Sequence, residues 1–318
     1  MFTLIQKRRW YFLISALLIV PGLIAMIISG VQYGSPLRLG IDFTGGTLLE
    51  LSFTQPVDLD QVREVLQQGA YTDATVKEVS GDGNIIQVRV PIELDAENAV
   101  AAKEELKVQL AQVFGEVTEL QSQSVGPSVG EETTRAAVFA ILASSVAILC
   151  FVALAWRKVP NAGRYGVCAI AKMLHDVIFL LGVGSILGLV AGWELDSLFL
   201  TALLTVVGFS VQDVIVVFDR IRENVPKRKG EPFETVVNRS LLETMHRSLA
   251  TQLNSMFVMV AIIFFGGVTI RNFMITMLVG MVVGTYSSLF FAVPLLVVWE
   301  KGEIGRLLGR HKNKPAAA

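Results

Sequence analysis

The apolar run at residues 202–224, ALLTVVGFSVQDVIVVFDRIREN, carries an acid, Asp213, well before it ends at Asp219 and Arg220. The run begins near Leu198 and is long enough to cross a bilayer. At a rise of about 1.5 Å per residue, Asp213 lies roughly 9 Å inside the Asp219 end, so its carboxyl group is not simply at the water surface. Steps of three and four from Asp213 reach Ser210 and Phe209, then Thr205 in one direction and Arg220 in the other, and Gln212 precedes the acid. One helical face is therefore weakly polar. Two readings stand for Asp213: a structural acid satisfied inside a helix bundle, or a carboxyl that takes up and releases a proton in a transport pathway. Charged groups within membrane helices are costly and mark function by default, which favours the second.

A second helix offers a partner. Glu243, Arg247, Thr251 and Asn254 are spaced by four, four and three, which aligns them on one face ahead of an apolar run. Counted inward from the outer ends of the two runs, Arg247 and Thr251 fall near the depth of Asp213. Burial favours a neutral carboxyl, whereas an arginine close by favours the carboxylate and stays charged itself, so approach and withdrawal of Arg247 would make a switch. The plainer alternative is that Arg247 snorkels to the interface. His175 and Asp176, near the start of another run, read as interface caps.

The elements that hold these residues follow from composition. In 318 residues, 53% are hydrophobic and 17% charged, with a mean hydropathy of +0.57, too apolar for an ordinary soluble domain. This is the composition of a polytopic membrane protein. No nucleotide-binding loop, zinc-ligand spacing or nucleophile elbow occurs, and the three histidines are scattered at 175, 246 and 311. The expectation is a protein that is not an enzyme, with no cofactor, no metal and no nucleic-acid partner. Cys150 and Cys168 fall in or beside apolar runs, so the soluble part has no disulfide.

Apolar runs at 10–37, 136–156, 173–193, 198–218, 249–265 and 273–299, charged only at Asp176 in the third and Asp213 in the fourth, predict six transmembrane helices. The first, behind Lys7, Arg8 and Arg9, is longer than the apolar core of a signal peptide and reads as an uncleaved span. Between Gly34 and Thr133 the sequence holds 17 acidic against 6 basic residues. Basic residues cluster instead at the N-terminus, at Arg157, Lys158, Arg164 and Lys172, from Arg220 to Arg247, and after Trp299: nineteen of the 27. These segments alternate to one side, so the termini are cytoplasmic and the acidic domain lies outside. Trp10, Trp156, Trp193 and Trp299 all sit at predicted span ends, as an aromatic belt requires.

Within the acidic domain TLLELSF alternates like a strand, DLDQVREVLQQG is helical, TVKEVSG and NIIQVRV flank the turn Gly81-Asp82-Gly83, AENAVAAKEELKVQLAQVF is amphipathic, and EVTELQSQSV is a last strand. The order β-α-β-β-α-β predicts an α+β ferredoxin-like domain between helices 1 and 2. Gly40, Asp42, Gly45 and Gly46 before it, and Gly126, Pro127 and Gly130 after it, read as flexible joints or as glycines serving backbone geometry alone. The expected organisation is 1–33 as N-terminus and helix 1, 34–133 as the outer domain, 134–300 as helices 2–6 with a cytoplasmic loop at 220–246, and 301–318 as a basic tail.

The run around Asp213, together with LGIDFTGGTLLEL at 39–51, SVGPSVG at 124–130 and HRSLATQLNSMFVMVAIIFFGG at 246–267, resembles the SecF family of the paired SecD and SecF subunits that assist the Sec protein translocase. The resemblance spans nearly the whole chain, with Gln212 where the family usually has Asn, and Gln252, Asn254 and Ser255 in a stretch usually richer in Ser and Thr. It implies a multi-pass protein of the bacterial inner membrane, in the resistance-nodulation-division superfamily. Such a protein pairs with SecD, works beside the SecY, SecE and SecG channel, and uses the proton motive force to draw exported polypeptide outward. Membrane lipid is its surroundings. On that reading Asp213 and Arg247 couple protons, with Gln212, Ser210, Thr205, Thr251 and Asn254 in support. The rivals are a half-transporter of small molecules or lipids, and a non-transporting anchor for a binding domain.

Overall fold

A computed structural model of the chain describes residues 3–68, 71, 74–78, 84–90, 99–155 and 162–303. In chain order the elements are α1 (Arg8–Tyr33), the single turn α2 (Ile41–Thr44), β1 (Gly46–Phe53), α3 (Leu59–Gln68), β2 (Thr75–Glu78), β3 (Ile85–Val90), α4 (Ala99–Phe114) and β4 (Val117–Val125). The long helices α5 (Pro127–Ala155), α6 (Ala162–Ala191), α7 (Ser197–Lys227), α8 (Phe233–Phe265) and α9 (Val268–Ser287) follow, then a π-helical turn (Ser288–Ala292) and α10 (Val293–Glu300). Two compact units result: Met1–Leu37 with Ile141–Leu189 and Leu198–Ala318, and Arg38–Ala140 with Val190–Ser197.

The first unit is helical. Among the described residues five helical stretches are long and apolar enough to cross a membrane: Ile5–Tyr33, Gly163–Ala191, Ser197–Lys227, Phe233–Phe265 and Ile270–Glu300. The remaining uncharged run, 136–156, belongs to α5 up to Ala155. Helices in lipid approach closely where side chains are small. At Gly22 of α1 and Gly182 of α6 the contact is backbone on backbone, since a Cβ on either glycine would lie 2.7 Å from the other's Cα. Along α7 the buried residues Phe199, Leu203, Val206, Ser210, Val214, Val217 and Ile221 recur every three to four positions. Val214, Val217 and Ile221 join Tyr165, Cys168, Leu241, Leu289 and Leu296 in the core of the bundle.

Three expectations change here. Lys172 does not sit in the connection before the third span; it lies inside α6 and is fully buried, because Asp176 one turn later neutralises it. With it, His175 and Asp176 move from the interface into the helix interior. The stretch 220–246 is largely helical, with α7 running to Lys227 and α8 starting at Phe233, because its charges pair along and between the helices: Arg220 with Glu223 and Glu243, Arg222 with Asp219, and Arg228 with Glu231. Gly130 is not in a turn but within α5, whose first residue is Pro127, a position where the missing N–H costs nothing. The turn at Gly81-Asp82-Gly83, Arg157 and Lys158, and the tail from 304 onward lie outside the described residues.

The second unit holds one antiparallel sheet in the order β2-β3-β1-β4. Leu49 of β1 stands opposite Val88 of β3 and Ser122 of β4, and the β1–β4 register shifts between Glu50 and Leu51. Alternation sends Leu49, Leu51, Phe53, Ile86, Val88 and Val90 to one face, where Val62 and Leu66 of α3 and Leu106 and Leu110 of α4 cover them. The chain enters β1 through Gly45, whose φ of 74° and ψ of 177° only glycine adopts without strain. Its neighbour is the start of α5: a Cβ at Gly45 would meet Pro127 Cα at 2.9 Å, and one at Gly130 would meet the Gly45 nitrogen at 2.8 Å. The two glycine motifs thus form one close-packed backbone joint.

That joint separates two effects. Gly34 also has a positive φ, 72°, but nothing lies within 4 Å of its missing Cβ. Gly34→Ala should therefore cost about 1–2 kcal/mol of left-handed strain, whereas Gly45→Ala adds a backbone collision and should cost more. Thermal unfolding of the two purified full-length variants in detergent checks this; equal melting shifts would mean that the Gly45–Pro127 contact carries no constraint.

Candidate functional site

Asp213 sits in the middle of α7 and is 7% exposed. The hydrogen-bond partner of its carboxylate is Gln252 of α8, whose Nε2 donates to Oδ2 at 2.7 Å. The two face a narrow cleft, too tight to hold a water molecule, lined further by Val206, Phe209, Ser210, Gly280, Met281, Gly284 and Thr285. Small residues on α9 shape that cleft. A Cβ at Gly280 would lie 2.5 Å from Val206 Cγ2, and one at Gly284 3.4 Å from Ser210 Cβ, so α9 lies directly on the polar face of α7.

Behind Asp213 lies a second polar group. Lys172 of α6, 0% exposed, donates from Nζ to Asp176 Oδ2 at 2.8 Å and to the Ser210 carbonyl at 2.8 Å. The Ser210 hydroxyl donates to the same Asp176 oxygen, and His175 Nδ1 lies 3.0 Å from Asp176 Oδ1. The His175 ring packs on Phe291 with centroids 4.7 Å apart. Ser288 Oγ, in the π turn, donates to the Ser210 carbonyl at 3.4 Å. Lys172 is also within electrostatic reach of Asp213. Among the described residues no cluster of His, Cys, Asp and Glu could hold a metal ion.

The sequence-derived residues divide. Ser210 is buried and joins α6 to α7, as the weakly polar face of Asp213 suggested. Thr205, five residues before it, is half-buried and bonds back to the Thr201 carbonyl at 2.7 Å. Gln212 is exposed. Arg247, Thr251 and Asn254 share a face of α8, but that face is exposed, and Thr251 Oγ1 donates to the Arg247 carbonyl at 3.0 Å. No ion pair joins Arg247 to Asp213 among the described residues. Below this level Glu243 accepts from Arg220 Nε at 2.6 Å and from Asn224 at 3.0 Å, tying α7 to α8.

In the other unit Gly40 donates its N–H to the Leu195 carbonyl at 2.7 Å. Asp42 accepts from Gln123 at 3.1 Å with one oxygen, and from the Ser197 N–H at 2.8 Å and hydroxyl at 2.6 Å with the other. Gly46 opens β1, and the Gly126 carbonyl accepts from the Gly130 N–H at 3.0 Å. Sequence reasoning missed Lys172, Asp176 and Gln252 as parts of one site. The signal for the first two was their spacing: a lysine four residues before an aspartate, on a run otherwise apolar, is a self-neutralising pair. Gln252 gave none, because its partner lies 39 residues away.

The arrangement is suited to proton exchange on a carboxyl. Nothing else in it is a nucleophile or an acid-base pair aimed at a substrate. Counting ionised groups, the single Lys172 balances only one of two carboxylates, so the site is neutral when Asp213 holds a proton.

Comparison with known proteins agrees with the architecture. Residues 105–302 match the family described as protein export membrane protein SecD/SecF, C-terminal, and residues 25–57 match the SecD/SecF GG motif. The chain is 44% identical to the protein translocase subunit SecF of Thermobaculum terrenum over 100% of both chains, and 37% identical to that of Desulfurispirillum indicum over 98% of this chain and 95% of the relative. It is similar to the crystal structure of SecDF, a translocon-associated membrane protein from Thermus thermophilus, with a TM-score of 0.79 and 32% identity over 94% of this chain. A super-membrane-facing form of SecDF gives 0.64 and 30% over 98%. The chain spans 39% and 40% of those two SecDF chains. Taken with its membrane-length helices, these matches show that the chain is a multi-pass membrane protein belonging to the SecF family of protein translocase subunits.

Proposed function

We propose that this chain is the SecF-type half of a SecD–SecF assembly that uses the proton motive force to promote late translocation and release of polypeptides at the SecY, SecE and SecG channel. The observation that carries this reading is Asp213: a carboxyl buried in the middle of an apolar helix, facing a narrow cleft and held by one neutral amide. In this reading it binds and releases the coupling proton. One elementary charge crossing ~100 mV provides about 2.3 kcal/mol, enough to bias a two-state motion of modest free-energy difference.

The full assignment is six spans in the bacterial inner membrane, both termini cytoplasmic, and a ferredoxin-like domain at 34–133 outside. The helix α5 supplies the span at 136–156, and the strand order β2-β3-β1-β4 with two helices on one face supports the ferredoxin-like reading. Arg247, Thr251 and Asn254 on an exposed face of a membrane-length helix favour a partner there, because polar groups facing lipid are costly. SecD is the partner we assign. Arg247 is then the cation that approaches Asp213 in another arrangement of the helices. The outer domain, which meets the emerging polypeptide, reorients as the proton moves.

Orientation is tested with single cysteines at Gln67 and Lys227 in a background lacking Cys150 and Cys168, labelled in intact cells by an impermeant thiol reagent. Gln67→Cys should react and Lys227→Cys should not; the reverse would place the sheet domain in the cytoplasm and end the export reading.

Asp213→Asn should keep expression and SecD copurification, because the neutral form is already the cheaper one to bury. Its export should lose the gradient-dependent part, measured as polypeptide release from inverted vesicles with and without a proton gradient. Full gradient stimulation in the Asn variant would make Asp213 structural and favour the anchor role.

A further inference from the structure

Resting on Asp213 as the proton-binding group, we propose that Lys172 is its positioning residue, a resident counter-cation parked on Asp176 that shifts to Asp213 when Asp213 gives up its proton. Lys172 heads the largest fully buried side chains among the described residues, so its place is set by packing and not by solvent. Its acceptors are Asp176 Oδ2 and the Ser210 carbonyl. Ser210 precedes Asp213 by three residues on α7, about 4.5 Å along the helix. The four-carbon stem of lysine is long enough to cover that distance.

Each present partner keeps a hydrogen bond if Lys172 leaves. Asp176 keeps the Ser210 hydroxyl on Oδ2 and His175 on Oδ1, and the Ser210 carbonyl keeps the Ser288 hydroxyl. Asp213, by contrast, has one hydrogen bond, from Gln252 to Oδ2, and its Oδ1 has no hydrogen-bond partner among the described residues. Departure from Asp176 therefore leaves its oxygens hydrogen-bonded, though without the cation, and arrival at Asp213 gives that carboxylate a second partner. A buried unpaired charge is the costly alternative on both sides.

The titratable groups around this path are Lys172, His175 and Asp176 on α6. From α8 the group facing Asp213 is the neutral Gln252; from α9 it is the Thr285 hydroxyl, and from the π turn the Ser288 hydroxyl. Arg247 is exposed on α8. The charged group already inside is thus Lys172. A proton on Asp213 makes the cluster neutral with Lys172 at Asp176; loss of that proton leaves one negative charge, which the ammonium best offsets from between the two carboxylates.

The experiment reads protonation at Asp213 directly. The full-length chain in lipid vesicles is treated with dicyclohexylcarbodiimide, which reacts with protonated carboxyls, across a pH series, and modification of the Asp213 peptide is quantified by mass spectrometry. Lys172→Met should move the half-labelling point upward, and Asp176→Asn, which frees Lys172 for Asp213, should move it downward, each by about 1–3 pH units. If Lys172→Met does not fold, Asp176→Asn decides alone. A half-labelling point in Asp176→Asn at or above that of the unaltered protein overturns the role of Lys172 and leaves the proton site standing. Absence of any pH-dependent labelling at Asp213 in the unaltered protein overturns the proton site itself, and this proposal with it.

Discussion

Two carboxylates and one ammonium lie together in an interior built for hydrocarbon, and much of the helical unit answers to that constraint. Removing one partner of a buried ion pair costs about 3–5 kcal/mol, because the other charge is left in a low dielectric without compensation. Lys172 and Asp176 meet this by standing one turn apart on the same helix, so α6 carries its pair already aligned. Ser210 then serves twice, with its carbonyl toward Lys172 and its hydroxyl toward Asp176, and in doing so fixes α7 against α6. Gly280 and Gly284 let α9 close over the same level. Asp213 is placed one turn beyond this knot, near the cation but not bonded to it. The polar cluster thus sets the register of α6 on α7, and the apolar residues on either side fill in around it.

The sheet unit obeys a different constraint, the accounting of backbone groups at its entry. Gly45 and Gly130 bring α2 and α5 to within direct backbone contact, and the Gly40 N–H and Leu195 carbonyl pair outside any sheet. Arg89 of β3 extends the same local order, donating to the Leu39 carbonyl at 3.1 Å and pairing with Glu194 at 3.0 Å.

The sequence made some of this legible and hid the rest for identifiable reasons. TLLELSF and NIIQVRV were legible as strands because Leu49, Leu51, Ile86 and Val88 obey a period of two, although Leu48 and Ile85 put apolar residues on the opposite face as well. Asp213 stood out because a lone acid in an apolar run has few innocent explanations. Lys172 was misplaced because a hydropathy count treats any lysine as the edge of a span, whereas in the folded helix its charge is cancelled locally. Gln252 was invisible for another reason: a neutral amide near the start of a run has no signature until a distant helix supplies its partner. Helical facing explained why Arg247, Thr251 and Asn254 share a side of α8, but not which side looks inward. Gln252, one position past Thr251, occupies that inward side.

The glycine contact between α1 and α6 has a mechanical meaning. With Cα of Gly22 and Gly182 separated only by the room that two missing side chains leave, the helices have no layer of rotamers between them to deform. Sliding α1 along α6 would drive a neighbouring side chain into backbone, while changing their crossing angle would not. The pair therefore acts as a fulcrum. Any tilting of α6 about that point would carry Lys172, ten residues away, through a wider arc than the end of the helix at Ala191, nine residues away on the other side.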